Sequence, residues 1–233
     1  MQIAATQIAA AAHRMPAAIV MRGAVNMPPA PLRGSAAAGQ SRQLAKGEEL
    51  FAEGDNSEYF YKIVSGSVRT YKLLSDGRRQ IDAFHLVGDI FGLEAGDEHR
   101  FTAEALTDTT VLAFRRSRLA ELTADDPAFR DQVMVAMMRS LERAQDHMLL
   151  LGRKTAQEKI ATFLLDMAGR VSEDGGHIEL PMQRSDIADH LGLTIETVSR
   201  TLTQFVREGL IRLRAGSRSV DLCNMGALRQ LNA

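Results

Sequence analysis

A single cysteine, Cys223, stands in 233 residues. That excludes a disulfide framework and, with no partner thiol, any iron–sulfur cluster or zinc ribbon. One cysteine and no export signal fit a reduced, cytoplasmic protein. No apolar run is long enough to span a bilayer, so no membrane partner is expected. An excess of positive charge is also missing: 28 basic residues face 29 acidic ones, a net charge of −1. A chain that coats nucleic acid by charge alone is thereby excluded, and any such contact must be local and positioned. Paired carboxylates, a nucleophile beside a base and a phosphate-cradling glycine loop are all absent at useful spacing, so no catalytic residue is expected and the chain does not read as an enzyme. The six histidines (13, 85, 99, 147, 177 and 190) form no i,i+4 pair and no Cys/His spacing, so neither a metal nor a haem is expected.

What is present is enough apolar residue, 45%, for proper cores, and a length that suits two modest domains. Residues 1–40 are Ala-rich and hold four of the six prolines, as an extended or disordered arm would; a brief helix over 1–14 is possible on composition. From about 44 to 116, turn signals recur roughly every ten residues (Lys46-Gly47, Gly54-Asp55, Ser65-Gly66, Asp76-Gly77, Gly88-Asp89, Gly96-Asp97), which reads as an all-β barrel or sandwich. Asp76-Gly77 predicts a hairpin joining 68–74 to 79–86. Residues 91–100 read as a loop or short helix, and 116–122 as another short helix.

Asp125-Asp126-Pro127 then opens a long helix. Met134, Leu141 and Met148 share one heptad position and Met137, Ala144 and Leu151 the other, while Val133, Met138 and Leu150 widen the stripe. The helix can lie on its own β domain and also serve as the axis of a homodimer. A further helix over 154–171 presents Ile160, Phe163, Leu164 and Met167 on one side. Asp174-Gly175-Gly176 ends it, and 178–180 offers a strand before Pro181.

The richest segment is RSDIADHLGLTIETVSRTLT, residues 184–203. It reads as a helix, a turn at Gly192 and a second helix N-capped by Thr194. Ile187, Ala188, Leu191, Leu193, Val198 and Leu202 can pack the two helices together. Glu196, Ser199 and Arg200 fall at i, i+3 and i+4 and share the opposite face. In a DNA major groove, Arg can grip guanine O6 and N7 and Glu can accept from the cytosine N4 amino group. A bland alternative is a surface Glu–Arg pair worth ~0.3–0.5 kcal/mol. The following stretch favours the groove: 209–222 alternates, turns at Ala215-Gly216-Ser217, and reads as a wing with Arg212, Arg214 and Arg218 available to phosphates. Residues 181–218 hold six arginines against four acids.

A β-roll, a long helix and a winged helix in this order resemble the CRP/FNR family of bacterial transcription regulators. The resemblance covers about 41–225 and is most specific in LPMQRSDIADH and LGLTIETVSRTL. It implies an α+β fold with a cyclic-nucleotide-binding-like jelly roll over 41–124, a dimerisation helix over 125–153 and a winged helix-turn-helix over 154–233. E-x-x-S-R, here Glu196, Ser199 and Arg200, is the FixK-like signature and implies TTGA/TCAA inverted repeats in double-stranded promoter DNA. Members that read TGTGA carry Arg where this chain has Ile195, which offers only apolar contact to a thymine methyl. Ile195, Glu196, Ser199 and Arg200 are thus expected at bases, and Arg184, Thr194, Thr197, Arg214 and Arg218 at the backbone.

Oxygen-sensing members have an N-terminal cysteine cluster that this chain lacks. Cyclic-nucleotide binders have G-E followed by R-S; here Gly92 and Arg100 remain, but Leu93 and Phe101 replace their partners. No cofactor is therefore expected. The resemblance implies a homodimeric, cytoplasmic regulator of low-oxygen respiration and nitrogen-fixation genes, set by its own abundance. It acts with RNA polymerase as an activator more than a repressor. The rival reading is an effector-gated regulator that needs a small molecule in the β-roll. Cys223 reads chiefly as a small side chain filling an apolar gap beside Leu222 and Met225; oxidative control of DNA binding is the alternative.

Overall fold

The computed structural model describes residues 39–171, 176–214 and 218–232. The expected brief helix at 1–14 and the turns at Asp174-Gly175 and Ala215-Gly216-Ser217 lie outside these residues. The β region begins with β1 (Gln40–Leu44), β2 (Glu49–Phe51), β3 (Tyr59–Ser65), β4 (Val68–Leu73), β5 (Arg79–His85), β6 (Ile90–Phe91), β7 (Thr102–Ala105) and β8 (Thr109–Arg115). They form two antiparallel four-stranded sheets, in the orders β1-β8-β3-β6 and β2-β7-β4-β5. The Asp76-Gly77 hairpin joins β4 to β5 in the expected place, with Leu73 opposite Arg79.

β3 reads as an apolar run because both of its faces are covered. Tyr61 and Ile63 point into the roll, where they meet Phe51, Val68, Phe91, Ala103 and Val111. Phe60 points the other way, against Phe114, Phe129 and Val133. Its ring centroid lies 5.2 Å from that of Phe114 and 6.3 Å from that of Phe129.

Those last two contacts introduce the long helix. A short 3₁₀ turn and α1 (Leu119–Asp125) lead into α2 (Pro127–Arg153). Asp126 is its N-cap, accepting from the Phe129 N–H at 3.0 Å, and Pro127 occupies the first turn, where a missing N–H costs nothing. At 27 residues the helix is roughly 40 Å long. Phe129, Val133 and Leu150 bury one face, while Met134, Met137, Met138, Leu141 and Met148 are 53–67% exposed. Ala144 is exposed with them. Leu151 departs from the expected seam: it is half-buried in its own chain, packed on the core of the C-terminal helices. The seam position at the end of α2 is used internally because the next helices fold back against it.

After Lys154 and Thr155 the chain continues as α3 (Ala156–Val171), β9 (His177–Glu179), α4 (Arg184–Leu191), α5 (Ile195–Arg207), β10 (Ile211–Leu213), β11 (Ser219–Leu222) and α6 (Met225–Leu231). Ile160, Phe163, Leu164 and Met167 are buried on the expected side of α3. The expected wing hairpin is widened by β9 into a three-stranded sheet, β10-β11-β9. Helix α6 was not foreseen, although Asn224 is a good N-cap; its side chain accepts from the Ala227 N–H at 3.0 Å. No helix among the described residues is long and apolar enough to cross a membrane.

The two regions meet along β4 and β5. Asp186 of α4 is buried there, 3% exposed, with Oδ1 2.6 Å from Arg69 Nη1 and 2.8 Å from Arg79 Nη2. Arg79 also pairs with Asp189, and Arg69 with Glu104. Removing one partner of such a buried group characteristically costs about 3–5 kcal/mol, because it strands a charge out of water.

Candidate nucleic-acid interface

The helix-turn-helix follows from a few local preferences. The backbone N–H of Gln183 donates to Asp186 Oδ2 at 2.9 Å, closing the start of α4. Gly192 ends it at φ 61°, ψ 43°, a left-handed conformation that side chains with a Cβ resist. A Cβ there would also come within 3.2 Å of Leu151 Cδ2. Thr194, extended at φ −87°, ψ 154°, then caps α5 by accepting from the Thr197 N–H at 3.2 Å. Val198, Leu202 and Phe205 of α5 bury against Ile187, Ala188 and Leu191 of α4, with Leu193 half-buried between them.

This packing turns the other side of α5 outward. Ile195, Glu196 and Arg200 are exposed and Ser199 is half-buried. The carboxyl of Glu196 is held below the usual carboxylate range by its own backbone N–H, then by the Thr194 hydroxyl. It is therefore an obligate acceptor at neutral pH, as the cytosine-amino role requires. Arg184 borders this face, its Nη1 donating weakly to Ser199 Oγ at 3.4 Å. The four expected base-reading residues and Arg184, Thr194 and Thr197 thus come together around one helix N-terminus, where the helix dipole and unpaired N–H groups also favour phosphate.

The wing arginines are less uniform. Arg212, Arg214 and Arg218 are exposed. Arg218 Nη1 donates to the Pro181 carbonyl at 2.7 Å, and Arg214 Nε lies 3.6 Å from Asp221. Asp221 also accepts from His177 at 2.6 Å, and that bond first, then Arg214, holds its carboxyl low. An acid between the arginines was not anticipated, because it sits on the strand paired with Arg212. Cys223 corrects an expectation outright: it is exposed, not filling a gap, with Sγ 3.7 Å from the Asp221 carbonyl. Leu222 takes the inward position instead, as strand alternation dictates.

The roll interior is the second place where a ligand could sit. Phe91 centres a stack of rings, 5.6 Å from Tyr61, 6.4 Å from Phe51 and 4.5 Å from His85. His99 closes on Phe51 at 3.6 Å. Burial pushes His85 down to about 4 and lowers His99 as well, so both rings are neutral at pH 7. Gly92 adopts φ +78°, where an added Cβ would come within 3.2 Å of the Tyr61 ring, and Arg100 is exposed. Leu93 packs against the Phe60 cluster. These residues do not fit a cyclic nucleotide: Leu93 and Phe101 offer no hydrogen bond to a phosphate, and the protein's own rings occupy the space between the sheets. A cavity of about 430 Å³ lies at the surface beside Ser57, Asp97 and Arg116, and one of about 210 Å³ beside Tyr59 and Arg118. Neither is lined by Gly92 or Arg100.

Comparison with known proteins agrees with this anatomy. Residues 158–231 match the Crp-like helix-turn-helix domain and residues 41–126 the cyclic nucleotide-binding domain. The chain is 45% identical over 185 residues to the nitrogen fixation regulation protein FixK of Rhizobium meliloti, covering 79% of this chain and 83% of that protein. It is 46% identical over 202 residues to FixK of Azorhizobium caulinodans, covering 85% and 81%. The solved structure of FixK2 from Bradyrhizobium japonicum superposes with a TM-score of 0.77 at 48% identity, over 84% of this chain and 98% of that one. Both domain matches, together with relatives at this identity and coverage, show that the chain belongs to the CRP/FNR family of DNA-binding transcription regulators, in its FixK-like branch.

Proposed function

We propose that two copies of this chain pair along α2 and set Glu196 and Arg200 into successive major grooves of a TTGA-N6-TCAA inverted repeat, with no effector required. The observation that carries this reading is the outward face of α5, where Ile195, Glu196, Ser199 and Arg200 surround a capped helix N-terminus. Arg200 pairs with a guanine, Glu196 with a cytosine of the opposite strand, and Ile195 and Ser199 with thymines. Arg184, Thr194, Thr197, Arg214 and Arg218 hold the backbone.

The pairing rests on the stripe of Met134, Met137, Met138, Leu141, Ala144 and Met148. It leaves large apolar side chains in water, more than a solitary helix face comfortably exposes. A two-fold pair would bring the reading helices to the spacing of about 34 Å that successive grooves demand.

On this reading the chain divides into an arm over 1–40, a roll over 41–124, a dimer helix over 125–153 and a DNA-binding unit over 154–233. It works in the cytoplasm with RNA polymerase, catalyses no reaction, and activates genes of the kind that the FixK relatives are named for, those of nitrogen fixation. The exposed thiol of Cys223 is open to oxidation; unchanged peroxide inhibition in Cys223→Ser would remove it from any redox role.

The test is fluorescence-anisotropy titration of TTGA-N6-TCAA against TGTGA-N6-TCACA at fixed salt, with and without cyclic AMP. Tight preference for the first, unchanged by the nucleotide, is the expected result. Binding only after the nucleotide is added would make the roll a sensor and overturn the effector-free reading.

A further inference from the structure

The reading helix is only as well placed as the helix it packs on, and α4 is held from an unexpected direction. Two residues, Lys154 and Thr155, separate α2 from α3, and Lys154 is extended at φ −84°, ψ 144°. Such a joint can swing. Beyond it, the helix-turn-helix is fastened to the β4–β5 hairpin through α4. Asp186 receives both Arg69 and Arg79, Arg79 reaches on to Asp189 with Nε at 2.9 Å, and Arg69 turns its other nitrogen to Glu104 at 2.7 Å. Tyr71 lies between the two guanidinium groups, 5.7 and 5.5 Å from them. Farther along, the side chain of Gln80 donates to the His190 carbonyl at 3.2 Å, and His190 Nδ1 donates to the Ile81 carbonyl at 3.1 Å.

Apart from the Arg69–Glu104 pair, which stays within the roll, these bonds fall on α4, and none reaches the outward face of α5. The fastening therefore leaves the reading residues open. Because α4 and α5 share a buried seam and a single glycine turn, the orientation of one passes to the other with little slack.

We infer that Arg69 and Arg79 are positioning residues for DNA reading: by gripping Asp186 they fix the helix-turn-helix on the roll, and so set the spacing between the two half-sites that a dimer accepts. This rests on the dimeric reading proposed above. It assigns to the β-roll, whose interior does not fit a nucleotide, the task of a rigid bracket. Forked guanidinium groups suit it, since two fixed N–H directions hold an angle that an ammonium would not.

Spacing is the property to measure. One added or removed base pair moves a half-site by about 3.4 Å and turns it by about 35°. The full-length protein and the double variant Arg69→Gln/Arg79→Gln are titrated on duplexes with N5, N6 and N7 spacers, and on one with a single intact half-site. The wild type should lose about tenfold or more in affinity away from its best spacer, whereas the variant should bind the best duplex more weakly and vary by less than about threefold across the three. Affinity for the single half-site should be unchanged.

An unaltered spacer profile in the variant overturns the inference while leaving the dimeric reading intact. Equal loss on the half-site duplex also overturns it, since the arginines would then be supporting the helix-turn-helix itself. A wild type with no preference for any palindrome defeats the dimeric reading instead. If circular dichroism shows the double variant unfolded, Arg79→Gln is read in the same way, because it leaves Asp186 paired with Arg69. Arg79→Lys, which keeps the charge and loses the fork, should give a profile between the two.

Discussion

The roll interior and the outward face of α5 are the two places in this fold where a ligand could be met, and their chemistry is opposite. Inside the roll, the positions beside Gly92 and Arg100 are Leu93 and Phe101, and Phe51, Tyr61, Phe91, His85 and His99 stack into a closed core. On α5, among the described residues, Glu196 and Arg200 are exposed and Ser199 is half-buried beside Arg184. Burial without a partner penalises polar chemistry, so a pocket that has lost its anion contacts is better filled, whereas a face that meets DNA must stay wet until binding. On the reading proposed above, recognition falls to one helix and the roll keeps a mechanical task.

Three measurements bear on that contrast. Phe91→Ala should excavate the filled region and lower stability by about 3–5 kcal/mol in urea denaturation. Cyclic AMP should leave the wild-type melting temperature where it is; a rise on adding the nucleotide would contradict the filled interior directly. Arg200→Ala strikes the open face instead. It should cost ~1–3 kcal/mol per half-site and relax discrimination at one base pair, with little effect on unfolding because Arg200 is exposed. Equal loss on every sequence would make Arg200 a phosphate contact.

A further effect is that of pH. His85 sits at about 4 in the fold, chiefly through burial, against an ordinary 6.5. Above pH 6.5 it is neutral folded or unfolded and stability is full. As pH falls from 6.5 toward 4, the unfolded chain takes up a proton that the fold refuses, and stability drops by about 1.4 kcal/mol per pH unit. His190, pushed down to about 3 by burial first and by His147 second, adds a smaller share because part of it reaches solvent. Urea midpoints at about pH 7 and about pH 5 should differ accordingly, and His85→Gln should flatten the trend. Base reading should not follow between about pH 7 and about pH 5, since the Glu196 carboxyl is held below the usual carboxylate range.

The helix-turn-helix was legible because local chemistry alone demands it. A capping threonine, a left-handed glycine and apolar positions at helical spacing do not depend on what lies elsewhere in the chain. The β-hairpin at Asp76-Gly77 and the Asp126-Pro127 start of α2 were legible for the same reason. That Leu151 packs partly within its own chain was not legible, because heptad spacing states which side of a helix is apolar, not which neighbour covers it. Cys223 was misassigned because a strand's alternation can be read in either phase until a partner strand sets it; here Leu222 is opposite Ile211 and takes the inside.

By itself, then, the amino-acid order determined most of the elements, their caps and turns, and which polar residues share the outward face of α5, all of which are settled within a dozen neighbours along the chain. Only the tertiary structure decided that aromatic rings close the roll, and that Arg69 and Arg79 grip Asp186 across 117 and 107 positions of sequence. Ion pairs at such separation leave no periodicity to read. Each partner looks like an ordinary surface charge until folding removes the water between them.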